Sequence, residues 1–421
     1  MKNSLLLAAS VLSWAAAASA DPPVPTLRAD TRVVEIDVIV RDSHGKPVTD
    51  LSKQDFTVTD NGKPRLIDIF SINRGEAAPV RPAAPSANIA PSKSLAPNVF
   101  SNRNPGPREL PAHSTVIVLD QANAFFEDAG YGRQSVIGLM AKVKPDERIA
   151  LYVIARKRGL VVVQDYTTDH ALLIRSLDKY IPRGLMPRPW DWDVDMQDLP
   201  GQPKPPDATK PTPAEFEFTW HENSEDARLS LQALAEHLAL VPGRKSVYMV
   251  TQGFPARLMQ GMGQFAWDKT LSALNDANVA VNTVDSRGLM TCARCKPQDP
   301  MNGTITAMRQ IAEATGGTAW FGRNDLDTAM ADGMAAARVS YTLAFYLPDN
   351  ERDNKFHALK VKADRPGAQL SYRQGYYAGD TDLPPDKTTK ELEASLLNQV
   401  DANGVGITAS VDEVQALRAV R

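Results

Sequence analysis

The sequence predicts an α/β fold: a doubly wound, mainly parallel sheet inserted in a smaller β-sandwich that the N- and C-terminal flanks build together. Two observations carry this. Over residues 113–339, short apolar strands alternate with helical periodicity, the pattern of a parallel sheet covered on both faces. On either side, 28–75 and 340–378 alternate apolar and polar residues at the period of a strand. Neither flank has enough strands to bury its apolar face alone, so the two are expected to form one sandwich.

The chain opens with Met-Lys-Asn-Ser, a short run rich in Leu, Ala and Val, and Ala18-Ser19-Ala20 before Asp21. These are the parts of a secretory signal peptide, expected to be cleaved after Ala20 and to make the protein periplasmic or secreted. The run is shorter than the roughly 20 residues a membrane span needs. No later stretch is long and apolar enough, so no transmembrane segment is expected in the mature chain. Acidic residues number 50 against 47 basic ones, with no basic block, which gives no electrostatic footprint for nucleic acid.

In the first flank, Val34, Ile36, Val38 and Val40 alternate with polar residues, and Asn61-Gly62 between further strands is a hairpin signal. Residues 76–112 are Pro-rich among Ala, Ser and Asn and read as a linker. Within 113–339, Val116–Leu119 is a buried strand ending in Asp120. Helical periodicity follows through Val136, Leu139 and Val143. Strands Ile149–Ile154 and Leu160–Val163, separated by a five-residue turn, are expected as an antiparallel edge pair. Helices are marked by Leu172–Leu177 and Leu231–Leu238, with 182–214 read as a surface insertion. Strand Ser246–Val250, a helix near 264–277, strand Val279–Val284, a helix near 304–314, strand Ala319–Phe321 and a helix over 325–338 complete the alternation. The second flank returns to β structure, and 379–421 is expected to be a weakly structured tail.

The order of these signals resembles a von Willebrand factor type A domain, itself Rossmann-like. The residues that carry it are Asp120 after the first strand, Pro242-Gly243-Arg244-Lys245-Ser246 opening the fourth, Asp285 after the next, and Ala314-Thr315-Gly316-Gly317-Thr318 before the last. Leu51–Phe56, Tyr341–Tyr346 and Arg373–Tyr377 resemble the flanks of the acidobacterial von Willebrand A-related family. The resemblance implies a sheet in which the first and fourth strands lie side by side, with ligands beyond the carboxyl ends of the strands.

That edge offers Asp120, Asn123, Thr251, Gln252 and Asp285 as ligand-face candidates. The resemblance implies a metal ion held there by Asp-x-Ser-x-Ser, a loop Thr and the Asp of Thr-Asp-Gly, since a hard cation takes hydroxyl and carboxylate oxygens. Here Ala122 and Ala124 replace both Ser, and Gln252 replaces the second carboxylate. The expectation is therefore a degenerate site with no metal and no cofactor. Asp120 and Asp285 then cap helices or tie down loops, Asp285 lying two strands away, roughly 9–10 Å. Asn123, Glu127 and Asp128 are the residues from which a rebuilt metal site is conceivable.

Cys292 and Cys295 are the chain's two cysteines. An exported chain meets an oxidising compartment, so a local disulfide is expected, with free thiols, redox work or metal binding as alternatives. No His-Glu-x-x-His, Gly-x-Ser-x-Gly or Gly-rich phosphate loop occurs. The reading is a protein-binding or adhesion-type module rather than an enzyme, its partner an unknown protein or envelope component. The alternatives are an exported thiol–disulfide protein using Cys292 and Cys295, and a purely structural envelope component.

Overall fold

The computed structural model describes residues 32–74, 99–101, 113–182, 185, 213–239, 241, 243–255, 259, 264–289, 300–353, 355–378 and 408–410. The expected signal peptide, Cys292 and Cys295, most of the two Pro-rich stretches and most of the tail lie outside these residues.

The first flank holds β1 (Arg32–Arg41), β2 (Phe56–Asp60), β3 (Lys63–Arg65) and β4 (Ile69–Asn73), followed by the short β5 (Val99–Ser101). The middle runs β6 (His113–Asp120), α1 (Phe126–Met140), β7 (Ile149–Ala155), β8 (Gly159–Thr167), α2 (His170–Lys179) and α3 (Pro213–Leu238). It continues through β9 (Arg244–Thr251), α4 (Gln264–Asp276), β10 (Val279–Asp285), α5 (Pro300–Thr315), β11 (Ala319–Trp320) and α6 (Leu326–Ala337). The second flank holds β12 (Ser340–Leu347), β13 (Phe356–Ala363), β14 (Gln369–Ser371) and β15 (Gly375–Tyr377), with β16 (Thr408–Ser410) beyond.

The flanks interleave. One sheet has the order β14-β1-β12-β4 and the other β15-β13-β2-β3, so each draws strands from both ends of the chain. Val34, Ile36, Val38 and Val40 of β1 point into a core shared with Phe56, Val58, Tyr341, Leu343, Leu359 and Tyr376. Asn61 and Gly62 both take positive φ, 47° and 80°, the backbone a tight β2–β3 hairpin needs. Inside the stretches expected as linker and tail, β5 and β16 pair antiparallel.

The middle sheet has the order β11-β10-β9-β6-β7-β8, parallel except for β8, which pairs antiparallel with β7. Both faces are covered, which is why the strands read as continuous apolar runs. On one face Val116 and Val118 of β6 meet Ala227, Leu231 and Leu234 of α3, Trp267 of α4 and Ile311 of α5. On the other, Ile117 and Leu119 meet Leu139 of α1, Leu173 of α2 and Met330 of α6. Leu231 and Leu234 are fully buried, each stabilising by about 2 kcal/mol through area removed from water.

Two helices begin earlier than the periodicity predicts. α3 starts at Pro213 and α5 at Pro300, because proline lacks an N–H that the first helical turn leaves unbonded in any case. The upper half of α3 contributes Trp220 and Ala227 to its buried stripe, too sparse a pattern to read without the three leucines below.

The sandwich is fastened to the α/β unit through polar groups. Asp37 of β1 is buried, accepting from Asn278 Nδ2 at 2.7 Å and from Thr342 Oγ1. Arg244, at the start of β9, donates to Asp37 O at 3.3 Å and to Gly316 O at 2.8 Å. Arg41 reaches Thr318 Oγ1 at 2.9 Å, and Arg373 reaches Asn275 O at 3.1 Å. Thus Asp37 and Ile39, on the other face of β1, are buried too. Among the described residues no helix is long and apolar enough to cross a membrane.

Candidate functional site

β6 and β9 lie side by side, with Leu119 opposite Val250, and β10 follows with Asp285 opposite Thr251. Asp120, Thr251 and Asp285 therefore line up across three adjacent strands at their carboxyl ends, where loops collect in an open parallel sheet. Asp285 is two strands from Asp120, as its sequence position implies.

Asp120 is 2% exposed and its oxygens are engaged from inside. Oδ2 accepts from Thr251 Oγ1 at 2.7 Å, and Oδ1 from Asn123 N at 3.2 Å. Asn123 Nδ2 stands in front of the carboxylate, 3.3 Å from Oδ1 and 3.0 Å from Oδ2. Behind the amide, Ser224 Oγ of α3 lies 3.2 Å from Asn123 Oδ1. Gly253 N donates to Thr251 Oγ1 at 2.9 Å, so the hydroxyl is fixed in turn. Burial pushes the Asp120 carboxyl up to about 6, against the pull of the Thr251 and Asn123 hydrogen bonds.

Gln252 serves a different end. Its Oε1 accepts from Phe125 N at 3.2 Å and its Nε2 donates to Asp128 Oδ2 at 3.1 Å. It thereby ties the loop after β9 to the N-terminus of α1, where Asp128 also suits the helix dipole. Asp285 is buried against its own loop: Arg287 donates Nε and Nη2 to the two oxygens, both at 2.8 Å, and its backbone N at 3.0 Å. The Arg287 side chain is only 3% exposed, so this is a desolvated, bidentate ion pair.

A divalent cation does not fit these residues. It needs several converging oxygens, and the positions expected to supply hydroxyls are Ala122 and Ala124, both packed in the interior. The nearest group to both Asp120 oxygens from Asn123 is an amide nitrogen, a donor with no lone pair for a metal. Among the described residues no group of three or more His, Cys, Asp or Glu is placed to hold a metal ion. Glu127 lies in α1, its side chain outside the described residues.

The structure joins Asp120, Asn123 and Thr251 into one network and sets Gln252 and Asp285 in two separate ones. Sequence reading missed Ser224 and Arg287. Arg287 sits two residues from a carboxylate, a spacing that could have suggested a local ion pair. Ser224, 101 residues from its partner, left no local signal.

The whole is a mixed α/β architecture, an antiparallel sandwich beside a partly parallel mixed sheet, broadly compatible with a von Willebrand A or Rossmann-like fold. No family model matches the chain, and no curated protein does. Solved structures show weak, low-identity similarity. One is a von Willebrand factor type A protein from Catenulispora acidiphila, at 10% identity and TM-score 0.32, covering 74% of this chain and 73% of that one. Another is an aerotolerance-related membrane protein from Bacteroides fragilis, at 13% identity and TM-score 0.32, covering 53% of this chain and 98% of that one. A third is proximal thread matrix protein 1 of the mussel byssus, at 12% identity and TM-score 0.30, covering 54% of this chain and 46% of that one. Nothing about the site rests on these likenesses.

Proposed function

We propose that this chain is an exported protein-binding module of adhesion type, not an enzyme, whose sheet edge engages a protein partner without a metal ion. The observation that carries the reading is Asn123 Nδ2 in front of Asp120, 3.0 Å from Oδ2. An internal amide stands where a metal-dependent edge would keep its ion, and Arg287 neutralises Asp285 as an ion pair. What is left at the edge is a set of buried polar groups satisfied from within the chain, Asp285 by a cation and Asp120 by neutral donors, so the partner is expected to read the shape of the loops above them.

The test is a thermal melt with and without millimolar magnesium or manganese. A ligand that binds only the folded state at a hundredfold excess over its Kd adds about 2.7 kcal/mol. The expected result is no shift beyond that of an equal ionic strength of sodium chloride, in the native protein and in Asp120→Ala alike. A magnesium-dependent rise abolished by Asp120→Ala would overturn the metal-free reading. Capture from envelope extract, with and without residues 182–214, tests the binding role. Absence of any captured partner favours a purely structural component.

A further inference from the structure

Away from the sheet edge, the sandwich encloses a charged cluster around His357. His357 lies on β13 and is 6% exposed. Its Nδ1 is 2.8 Å from Asp60 Oδ1, and its Nε2 is 3.2 Å from Asp353 Oδ1. Both ring nitrogens therefore face carboxylate oxygens. A neutral imidazole carries one N–H and one lone pair. In a neutral ring an Nε2 lone pair would face Asp353 Oδ1, while an Nδ1 lone pair would have the Tyr376 hydroxyl 3.3 Å away but would face Asp60 Oδ1 at the shorter 2.8 Å; either way one carboxylate contact becomes repulsive. Only the imidazolium donates to both.

The groups around the ring make the same case. Asp60, on β2, is 1% exposed and also accepts from Arg65 of β3, with Nη2 at 2.7 Å, and from Tyr376 OH of β15 at 2.9 Å. Arg65 pairs on its other side with Glu351, which Lys63 approaches at 3.7 Å. Asp353 accepts from Lys355 N at 3.0 Å, a bond that, with the ring beside it, holds its carboxyl below the ordinary range. The Lys355 ammonium lies farther off, 4.0 Å from Asp353. Burial pushes the Tyr376 phenol up, so it stays a neutral donor. Asp60, Glu351 and Asp353 thus face Arg65 and, at 3.7 Å, Lys63, and a charged ring brings the cations to three against three carboxylates.

The position gives the cluster a mechanical meaning. β12 belongs to one sheet and β13 to the other, and the chain crosses between them through the turn Asp349–Glu351 and Asp353. Arg65, through Glu351, and His357, through Asp353, tie that crossover to the buried Asp60. We infer that His357 is a proton-dependent pin of the inter-sheet corner. As the imidazolium it clasps Asp353 and Asp60 together, and loss of one ring proton releases the corner.

The test uses the full chain. Thermal melts of the native protein, His357→Gln and Asp353→Asn are compared across pH 5 to 8, the range in which imidazole changes charge. A proton bound more tightly by the folded state stabilises at low pH and stops doing so as pH rises. The gap in Tm between native and His357→Gln should therefore be wide at pH 5 and shrink by half or more by pH 8. Other titrating groups are common to both proteins and cancel. Asp353 is 41% exposed in its side chain, so Asp353→Asn should fold and should show a weaker pH dependence than the native protein. If His357→Gln does not fold, nitrogen NMR of His357 in the native chain decides, with both ring nitrogens protonated at pH 5 as the expected result. A Tm gap flat across the range, or a singly protonated ring at pH 5, would overturn the pin.

Discussion

Asp120 accepts from an amide and a hydroxyl of its own chain. Asn123 Nδ2 and Thr251 Oγ1 satisfy the carboxylate with neutral donors, which leaves a desolvated charge only partly compensated. The consequence is a pH dependence with a definite sign. The carboxyl titrates at about 6 when folded, against an ordinary 3.8. Between those values the folded chain keeps a proton that the unfolded chain has lost, so stability falls as pH rises through the window. The full effect is about 3 kcal/mol, of which about 1 kcal/mol lies between pH 5 and pH 7. Chemical denaturation at those two values should show the native protein gaining this much at pH 5 relative to Asp120→Asn. Equal gains in both proteins would mean that Asp120 does not carry the proton.

At the scale of elements, two glycines separate close packing from open space. An added Cβ at Gly317, in the turn before β11, would stand 2.0 Å from Val281 O. Backbone cannot yield to that contact, so Gly317→Ala should cost about 3 kcal/mol or more in denaturant unfolding. Gly130 lies inside α1 with nothing within 4 Å of its added Cβ. Gly130→Ala should instead stabilise by about 0.5–1 kcal/mol, the helix-propensity difference. Loss of stability at both positions would show that α1 sits more tightly against its neighbours than the geometry implies. The helices also show where local patterns fall short. α2 is legible from its leucines and from Asp169, whose Oδ1 accepts from Leu172 N at 2.9 Å as a helix cap should. The first turns of α3 and α5 are not legible, because their prolines signal a loop and a helix start equally well.

For the whole molecule, interleaving of the flanks predicts that folding is a single event. The pairs β1–β12 and β2–β13 join residues from opposite ends of the chain. Expressed alone, residues 27–75 should give an unfolded peptide, and a cooperative melt of that fragment would refute the shared sandwich. The polar junction between the two units adds to this coupling. Arg244→Ala removes the donors to Asp37 O and Gly316 O, two buried carbonyls at about 1–3 kcal/mol each. Calorimetry should show one transition in the native protein, shifted down in Arg244→Ala by the equivalent of about 2–6 kcal/mol. Two resolved transitions in the native protein would show that the units fold independently.

By itself the sequence determined the strand and helix order, the Asn61-Gly62 hairpin, the antiparallel edge pair and the row of residues at the carboxyl edge. These follow from local periods and turn chemistry, which act over a few residues and leave their mark in the chain. That Ala122, Ala124 and Gln252 stand at metal-binding positions was implied only by the resemblance to a von Willebrand factor type A domain; the residues themselves, with no hydroxyl or carboxylate among them, are plain in the sequence. Only the tertiary structure decided that Asn123 turns its amide onto Asp120 with Ser224 of α3 behind it. The same holds for the burial of Arg244 between two units and for the meeting of His357 with Asp60, 297 residues apart. Each of these is a pairing of polar groups removed from water together, and such pairings are selected by burial and distance rather than by any pattern along the chain.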